Sequence, residues 1–79
     1  MQVEVRLYAT LRQYAPGLGI GEAMHRDVPP GTTVRDLVDR LKVPAGEVKR
    51  VFVNYRAVSE DCVLADGDRV SIFPLVAGG

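Results

Sequence analysis

The sequence is poor in the residues from which self-contained active sites and cross-linked folds are built. It contains one cysteine, one histidine and no tryptophan. Cys62 alone cannot form an internal disulfide, and a structural zinc site requires about four Cys or His ligands. We expect His25 to be a half-exposed strand residue rather than a catalytic one, and a Gly-x-Ser-x-Gly motif and a glycine-rich phosphate loop are both missing. The composition therefore favours a carrier, a binding module or a subunit over a complete enzyme.

Net charge and long apolar runs are missing as well. Ten basic and ten acidic residues cancel, so no overall field attracts nucleic acid or an anionic membrane, and we predict neither as a partner. No run approaches the roughly 20 apolar residues of a membrane span, and the alternating start lacks the apolar segment of a signal peptide. We therefore expect a cytoplasmic protein with one domain over residues 1–79, ending in a flexible tail over about 75–79.

Alternating apolar and polar residues predict four or five short strands. These lie at residues 2–7, 20–28, 51–54, 57–58 and 69–73. The polar content of the second strand suits a sheet edge, where charged side chains discourage unwanted pairing. Between the first two strands, a capping-box pattern at Thr10 and Gln13 predicts a short helix over residues 11–15.

The main helix has the clearest pattern in the sequence. Thr33 suits an N-cap, with Asp36 three residues later. An apolar stripe at i, i+3, i+4 and i+7 consists of Val34, Leu37, Val38 and Leu41. On the opposite face we expect ion pairs between Arg35 and Asp39 and between Asp36 and Arg40. One amphipathic helix against one sheet gives a two-layer α+β domain, and the order of elements predicts a ubiquitin-like β-grasp fold with a mixed sheet of four or five strands.

The sequence ends in two glycines, Gly78 and Gly79. With glycine at about 7% of residues, such a pair arises at a chain end about once in 200 sequences. Because glycine lacks a Cβ atom, a diglycine end can enter a narrow channel and leave its carbonyl unshielded. A carboxylate is a poor electrophile, whereas its adenylate has a leaving group that a sulfur nucleophile can displace. The pattern favours a Gly79 carboxylate that another protein activates and converts to a thiocarboxylate.

The sequence also resembles the MoaD/ThiS family of ubiquitin-like sulfur carriers. Four segments carry the resemblance, in the same order along the chain: LYATLR at 7–12, GTTVRDL at 31–37, VN at 53–54 and FPLVAGG at 73–79. The ending is closer to that of the small subunit of molybdopterin synthase than to that of the thiazole carrier. The molybdopterin synthase branch often has a second proline at the position of Leu75, and the sequence differs from that branch there.

The resemblance implies a set of partners and a role for the tail. It implies that an ATP-using adenylyltransferase of the ubiquitin-activating type activates Gly79, with no cofactor bound to the chain itself. It further implies a sulfur donor, either a cysteine desulfurase or a rhodanese-type protein, and the large subunit of molybdopterin synthase as the final partner. In this reading Gly78 permits entry into the partner. The docking contacts would be Phe73, Pro74, Leu75, Val76 and Ala77.

Strand parity adds one more candidate to the docking contacts. If Val3, Val5 and Leu7 face the helix, Tyr8 and Phe73 share the opposite face of the sheet, and they adjoin if the first and last strands are neighbours. Exposed apolar groups in a patch usually mark a partner surface. Several functions remain open at this point: a sulfur donor for molybdopterin or tungstopterin, a carrier for thiazole or another sulfur metabolite, and a covalent protein modifier attached through Gly79. A plain binding module is a fourth, which is disfavoured because it leaves the diglycine tail unexplained.

Overall fold

The computed structural model describes residues 1–75. Its elements, in chain order, are β1 (Gln2–Leu7), a first 3₁₀ helix (Ala9–Tyr14), β2 (Met24–Asp27), α1 (Val34–Arg40), a second 3₁₀ helix (Ala45–Glu47), β3 (Val48–Val53), β4 (Arg56–Val58) and β5 (Arg69–Pro74). The strands form one sheet in the order β2-β1-β5-β3-β4. Within residues 1–75, the pair formed by β1 and the central strand β5 is parallel, and the other three pairs are antiparallel. The predicted mixed sheet with one main helix is confirmed, and β2 occupies an edge as expected.

The core lies between α1 and one face of the sheet. Val3, Val5 and Leu7 alternate with less buried residues along β1, and Val70 and Ile72 do the same along β5. The apolar stripe of α1 packs against them; its members, Val34, Leu37, Val38 and Leu41, are all buried. Burial of this alternating set fixes strand register, because a shift by one residue would move every apolar side chain to the other face. We call that other face, which points away from α1, the open face.

The start of α1 has the predicted capping box. The Asp36 backbone N–H donates to the Thr33 hydroxyl at 3.2 Å, and the Thr33 N–H donates to the Asp36 carboxylate at 3.1 Å. The Thr33 N–H that donates to the carboxylate, together with the Thr33 hydroxyl, lowers the pKa of Asp36. The two hydrogen bonds satisfy two backbone groups that would otherwise have no partner in the first turn.

The predicted ion pairs along α1 are wrong. Arg35 instead pairs with Glu60 and, at 3.2 Å, with Asp61, and neither predicted pair occurs within residues 1–75. The loop that carries these acids is held against the helix start, because the Arg35 N–H donates to the Glu60 carbonyl at 2.9 Å. A partner brought close by tertiary structure has displaced the local one.

The short helix after β1 differs from the prediction. It is a 3₁₀ helix that starts at Ala9, one residue before Thr10, and no side chain in the described part of the chain caps it. The Tyr8 N–H donates to the Ile72 carbonyl at 3.2 Å, which extends the pairing of β1 by one residue, and the Leu11 N–H then donates to the Tyr8 carbonyl at 3.1 Å. Thr10 is therefore inside the turn and cannot act as its N-cap.

The second strand is shorter than predicted. It begins at Met24 rather than near residue 20, and Ile20 is 86% exposed. The Glu22 N–H donates to the Gly19 carbonyl at 3.2 Å, and Gly21 has a φ of 73°. Residues that the alternation of apolar and polar side chains had assigned to the strand therefore lie in a glycine-rich turn.

Candidate functional site

Three aromatic rings form a cluster on the open face. The rings of Tyr8 and Phe73 are stacked, with centroids 4.5 Å apart and planes 6° apart. Phe52 meets Phe73 edge-to-face at 5.6 Å. We call these three residues the aromatic cluster. The predicted juxtaposition of Tyr8 and Phe73 is present, whereas Phe52 was missed, although its place between the buried residues Val51 and Val53 is a parity signal for the open face.

The sheet topology brings the three rings together. Leu7 pairs with Ile72 in the parallel β1–β5 ladder, so Tyr8 and Phe73 follow at the same level. Phe52 pairs with Ser71 in the antiparallel β3–β5 ladder. The rings therefore come from three adjacent strands or their ends. Aromatic pairs in stacked or edge-to-face geometry stabilise by about 0.5–1.5 kcal/mol each beyond their area burial, so the cluster is a preformed surface.

Arginines flank the aromatic cluster. Arg50 is the cross-strand partner of Phe73, and Arg6 is the partner of Ser71. Arg6 Nε donates to the Gly21 carbonyl at 3.1 Å, which joins the loop before β2 to the open face. Farther along β5, Arg69 donates to the Tyr55 hydroxyl at 3.1 Å and lies 3.3 Å from Glu4. These contacts raise the pKa of Arg69.

The tail begins at the end of β5, beside the aromatic cluster. Because β1 and β5 are parallel, Tyr8 and Leu75 lie at the same end of the sheet. Leu75 is 53% exposed, and its N–H donates to the Glu47 carbonyl at 3.1 Å. Pro74 is buried and pairs with Val48, so its ring does not belong to the open face.

The remaining tail residues of the sequence prediction lie outside the described residues. These are Val76, Ala77, Gly78 and Gly79, and their roles stay predictions. Within residues 1–75, no cluster of three or more His, Cys, Asp or Glu side chains is placed to hold a metal ion. None of the helices in this same part of the chain has the length and apolar character needed to cross a membrane.

The other two candidates from the sequence lie in ordinary structural positions. Cys62 is half-buried beside the start of α1, where its carbonyl accepts a hydrogen bond of 3.0 Å from the Val34 N–H. His25 is exposed on the edge strand β2, opposite Glu4. Neither residue adjoins the aromatic cluster or Leu75 in the ladders and contacts of the described chain.

Comparison with known proteins agrees with this geometry. The sequence profile of the ThiS family matches residues 5–79, and no functionally curated protein matches the sequence. A Pyrococcus furiosus protein assigned as subunit 1 of molybdopterin converting factor is 32% identical, with a TM-score of 0.73, over 95% of this chain and 98% of its own.

Two further solved structures share the fold. Small archaeal modifier protein SAMP1 from Haloferax volcanii is 23% identical over the whole of both chains, with a TM-score of 0.74. A chain from the complex of subunits 1 and 2 of molybdopterin-converting factor from Helicobacter pylori is 24% identical over the whole of both chains, with a TM-score of 0.62. These similarities confirm the predicted β-grasp fold. The chain therefore belongs to the ThiS family of ubiquitin-like sulfur carriers.

Proposed function

We propose that this chain carries sulfur as a thiocarboxylate on Gly79 and donates it to the dithiolene of molybdopterin (or its tungsten counterpart) as the small subunit of molybdopterin synthase. The single observation that carries the proposal is the position of the aromatic cluster. A preformed apolar surface lies at the end of the sheet where the chain leaves for its diglycine terminus. A partner can therefore bind the folded domain and receive the chain end at the same time.

The chemistry requires three partners outside this chain. A Gly79 carboxylate oxygen attacks the α-phosphorus of ATP in an adenylyltransferase, which releases pyrophosphate and leaves an acyl adenylate. The terminal sulfur of a persulfide on a cysteine desulfurase or rhodanese-type donor then attacks the acyl carbon, and AMP leaves. A thiol reduces the resulting acyl disulfide to the thiocarboxylate and is itself oxidised to a disulfide.

The size of the domain explains why the tail must enter another protein. The buried residues of the described chain form one small core between α1 and the sheet, and a domain of this size cannot shelter pterin chemistry from water. A large subunit can supply the pocket while the aromatic cluster supplies the contact. In support of this branch, the assigned subunit 1 from Pyrococcus furiosus is 32% identical over 95% of the chain, and the Helicobacter pylori protein was solved together with a subunit 2.

The first experiment tests the atom that carries the sulfur. The protein is incubated with its adenylyltransferase, ATP and a persulfide donor, and its mass is measured intact and after digestion. We expect the mass change of one oxygen replaced by sulfur, located on the C-terminal peptide. Removing Gly79 should abolish the change without unfolding, since every described element lies within residues 2–74. A complete mass change in the truncated chain, or one located on Cys62, would contradict the proposal.

The second experiment tests the acceptor. The thiocarboxylated protein is supplied with the candidate large subunit and the cyclic pterin precursor, and dithiolene formation is measured. Blots of cell extract for conjugates between Gly79 and lysine run in parallel. Dithiolene without conjugates supports the molybdopterin branch. Abundant conjugates cleaved by an isopeptidase, without dithiolene, would favour a protein modifier, and sulfur transfer to a thiazole precursor alone would favour the other carrier branch.

A further inference from the structure

The two 3₁₀ helices meet at the point where β5 ends. Glu47, in the second 3₁₀ helix, makes two different bonds there. Its backbone carbonyl accepts the Leu75 N–H at 3.1 Å, and its carboxylate accepts the hydroxyl proton of Tyr14 from the first 3₁₀ helix. One residue therefore joins the last described residue of the chain to a helix on the other side of the sheet's central strand.

The ladder beside Leu75 is irregular, which gives these two bonds their importance. The pairing of β3 with β5 shifts register between Val48 and Arg50, so Lys49 is an extra residue opposite the end of β5. A bulge of this kind interrupts the regular hydrogen bonds of a sheet. Beyond the interruption the ladder resumes with a single pair, Val48 and Pro74, and the Leu75–Glu47 bond follows it. The direction of the chain at Leu75 therefore depends on this short piece of pairing and on what holds Glu47.

The first 3₁₀ helix provides a firm anchor for Glu47. Leu11, in the middle of that helix, is fully buried, and Tyr14 packs against the core. The helix is also tied to β5 by the bond from the Tyr8 N–H to the Ile72 carbonyl. The hydrogen bond to Glu47 raises the pKa of Tyr14, so the phenol keeps its proton and remains a donor throughout the neutral range.

We infer that Tyr14 and Glu47 are positioning residues that set the direction in which the C-terminal segment leaves the domain. The inference rests on the proposed function, because direction matters only if the segment must enter a partner's channel. Holding Leu75 removes backbone freedom before binding, so less conformational entropy is lost when the chain end is bound. We call the two bonds of Glu47, to Tyr14 and to Leu75, the clamp. Without the clamp, the segment would start from a wider range of directions, and fewer encounters would be productive.

A pair of tyrosine variants tests the clamp. Tyr14→Phe removes the hydroxyl that bonds Glu47, and Tyr55→Phe removes a hydroxyl that bonds Arg69 at the start of β5, away from Leu75. In the free protein, hydrogen exchange of the Leu75 amide should be about fivefold faster in Tyr14→Phe, the factor that corresponds to one such hydrogen bond. The rate should not change in Tyr55→Phe, and Glu47→Gln, which keeps an acceptor oxygen, should exchange like the wild type. An unchanged rate in Tyr14→Phe would overturn the clamp.

The adenylation kinetics test the positioning role separately. With ATP and the adenylyltransferase, we expect the KM for Tyr14→Phe to rise about fivefold while kcat stays the same, since the chemical groups are intact. Tyr55→Phe should match the wild type. Faster Leu75 exchange with unchanged KM would overturn the positioning role. A wild-type chain that is not adenylated would overturn the proposed function and the positioning role with it, while the exchange result would still show whether Glu47 holds Leu75.

Discussion

Tyr8 offers a direct test of whether the aromatic cluster binds a partner or only supports the fold. Among the described residues, its ring makes one aromatic contact, the stack on Phe73. Tyr8→Ala should therefore lower the free energy of unfolding by about 1–2 kcal/mol, because the loss of one aromatic pair adds to the loss of the area that this half-exposed ring buries. If Tyr8 is a central anchor of the interface, the same change should weaken partner binding by about 2 kcal/mol or more. Binding should then suffer more than stability.

Leu37→Ala is the matched comparison. Leu37 is fully buried in the stripe of α1, and truncating it removes apolar burial and leaves a cavity, which costs about 2–5 kcal/mol of folding free energy. The part of the protein that remains folded should still bind normally, because the open face is unchanged. Tyr8→Ala should therefore lose more binding than stability, whereas Leu37→Ala should lose more stability than binding.

The assay combines urea unfolding with calorimetric titration of the adenylyltransferase and, separately, of the large subunit. Binding constants are corrected for the folded fraction of each variant. Phe73→Ala should cost more stability than Tyr8→Ala, because Phe73 contacts both Tyr8 and Phe52. Two results would show that the cluster only supports the fold. Tyr8→Ala could lose at least as much free energy of unfolding as free energy of binding, or it could bind both partners normally. Either result would refute the docking argument.

The remaining predictions concern the helix cap, two titrations and the cysteine. Thr33→Ala removes the acceptor for the Asp36 N–H and should lower the unfolding free energy by about 1 kcal/mol in urea, whereas Thr33→Ser should not. The folded pKa of Asp36 is lowered, so the stability that its carboxylate contributes is present above the ordinary aspartate pKa and is lost as pH falls through the folded pKa. Asp36→Asn should therefore flatten the acid limb of a curve of Tm against pH. The folded pKa of Tyr14 is raised, so the stability that its hydroxyl contributes is complete below the ordinary tyrosine pKa and is lost as pH rises through the folded pKa. The Tm of the wild type and of Tyr14→Phe should therefore converge at high pH. A difference in Tm that stays constant with pH would contradict the hydrogen bond. Cys62→Ser should leave sulfur loading measured by mass spectrometry unchanged.

Some parts of the site followed from strand parity. Val3, Val5 and Leu7 could be assigned to the core from their spacing, which placed Tyr8 on the opposite side, and the same reasoning placed Phe73 there. Their contact required only that β1 and β5 be neighbours, as the β-grasp order implies. Phe52 was missed because the prediction did not follow parity along β3, the neighbour of β5 on its other side.

Other parts depended on contacts between distant residues. Thr10 and Gln13 match a capping box, but the bond from Tyr8 to Ile72 moved the start of the helix, and the bond belongs to a strand more than 60 residues away in the chain. The pairing of Arg35 likewise changed from its neighbour Asp39 to Glu60. In both cases local and distant partners have similar intrinsic strength, so the approach of the distant one decides.

The helix α1, the burial pattern of the strands and the family could be predicted without the structure, because each rests on periodicity or on residues near one another in the chain. The 3.6-residue stripe of α1 has one energetically acceptable face, and the alternation in β1 and β5 has one buried side. The edge-to-face contact of Phe52 with Phe73 and the joining of Tyr14 to Leu75 through Glu47 required the tertiary structure. Those contacts depend on relative positions of separate elements, and a bulge at Lys49 or a one-residue extension of β1 changes such positions without altering any local pattern.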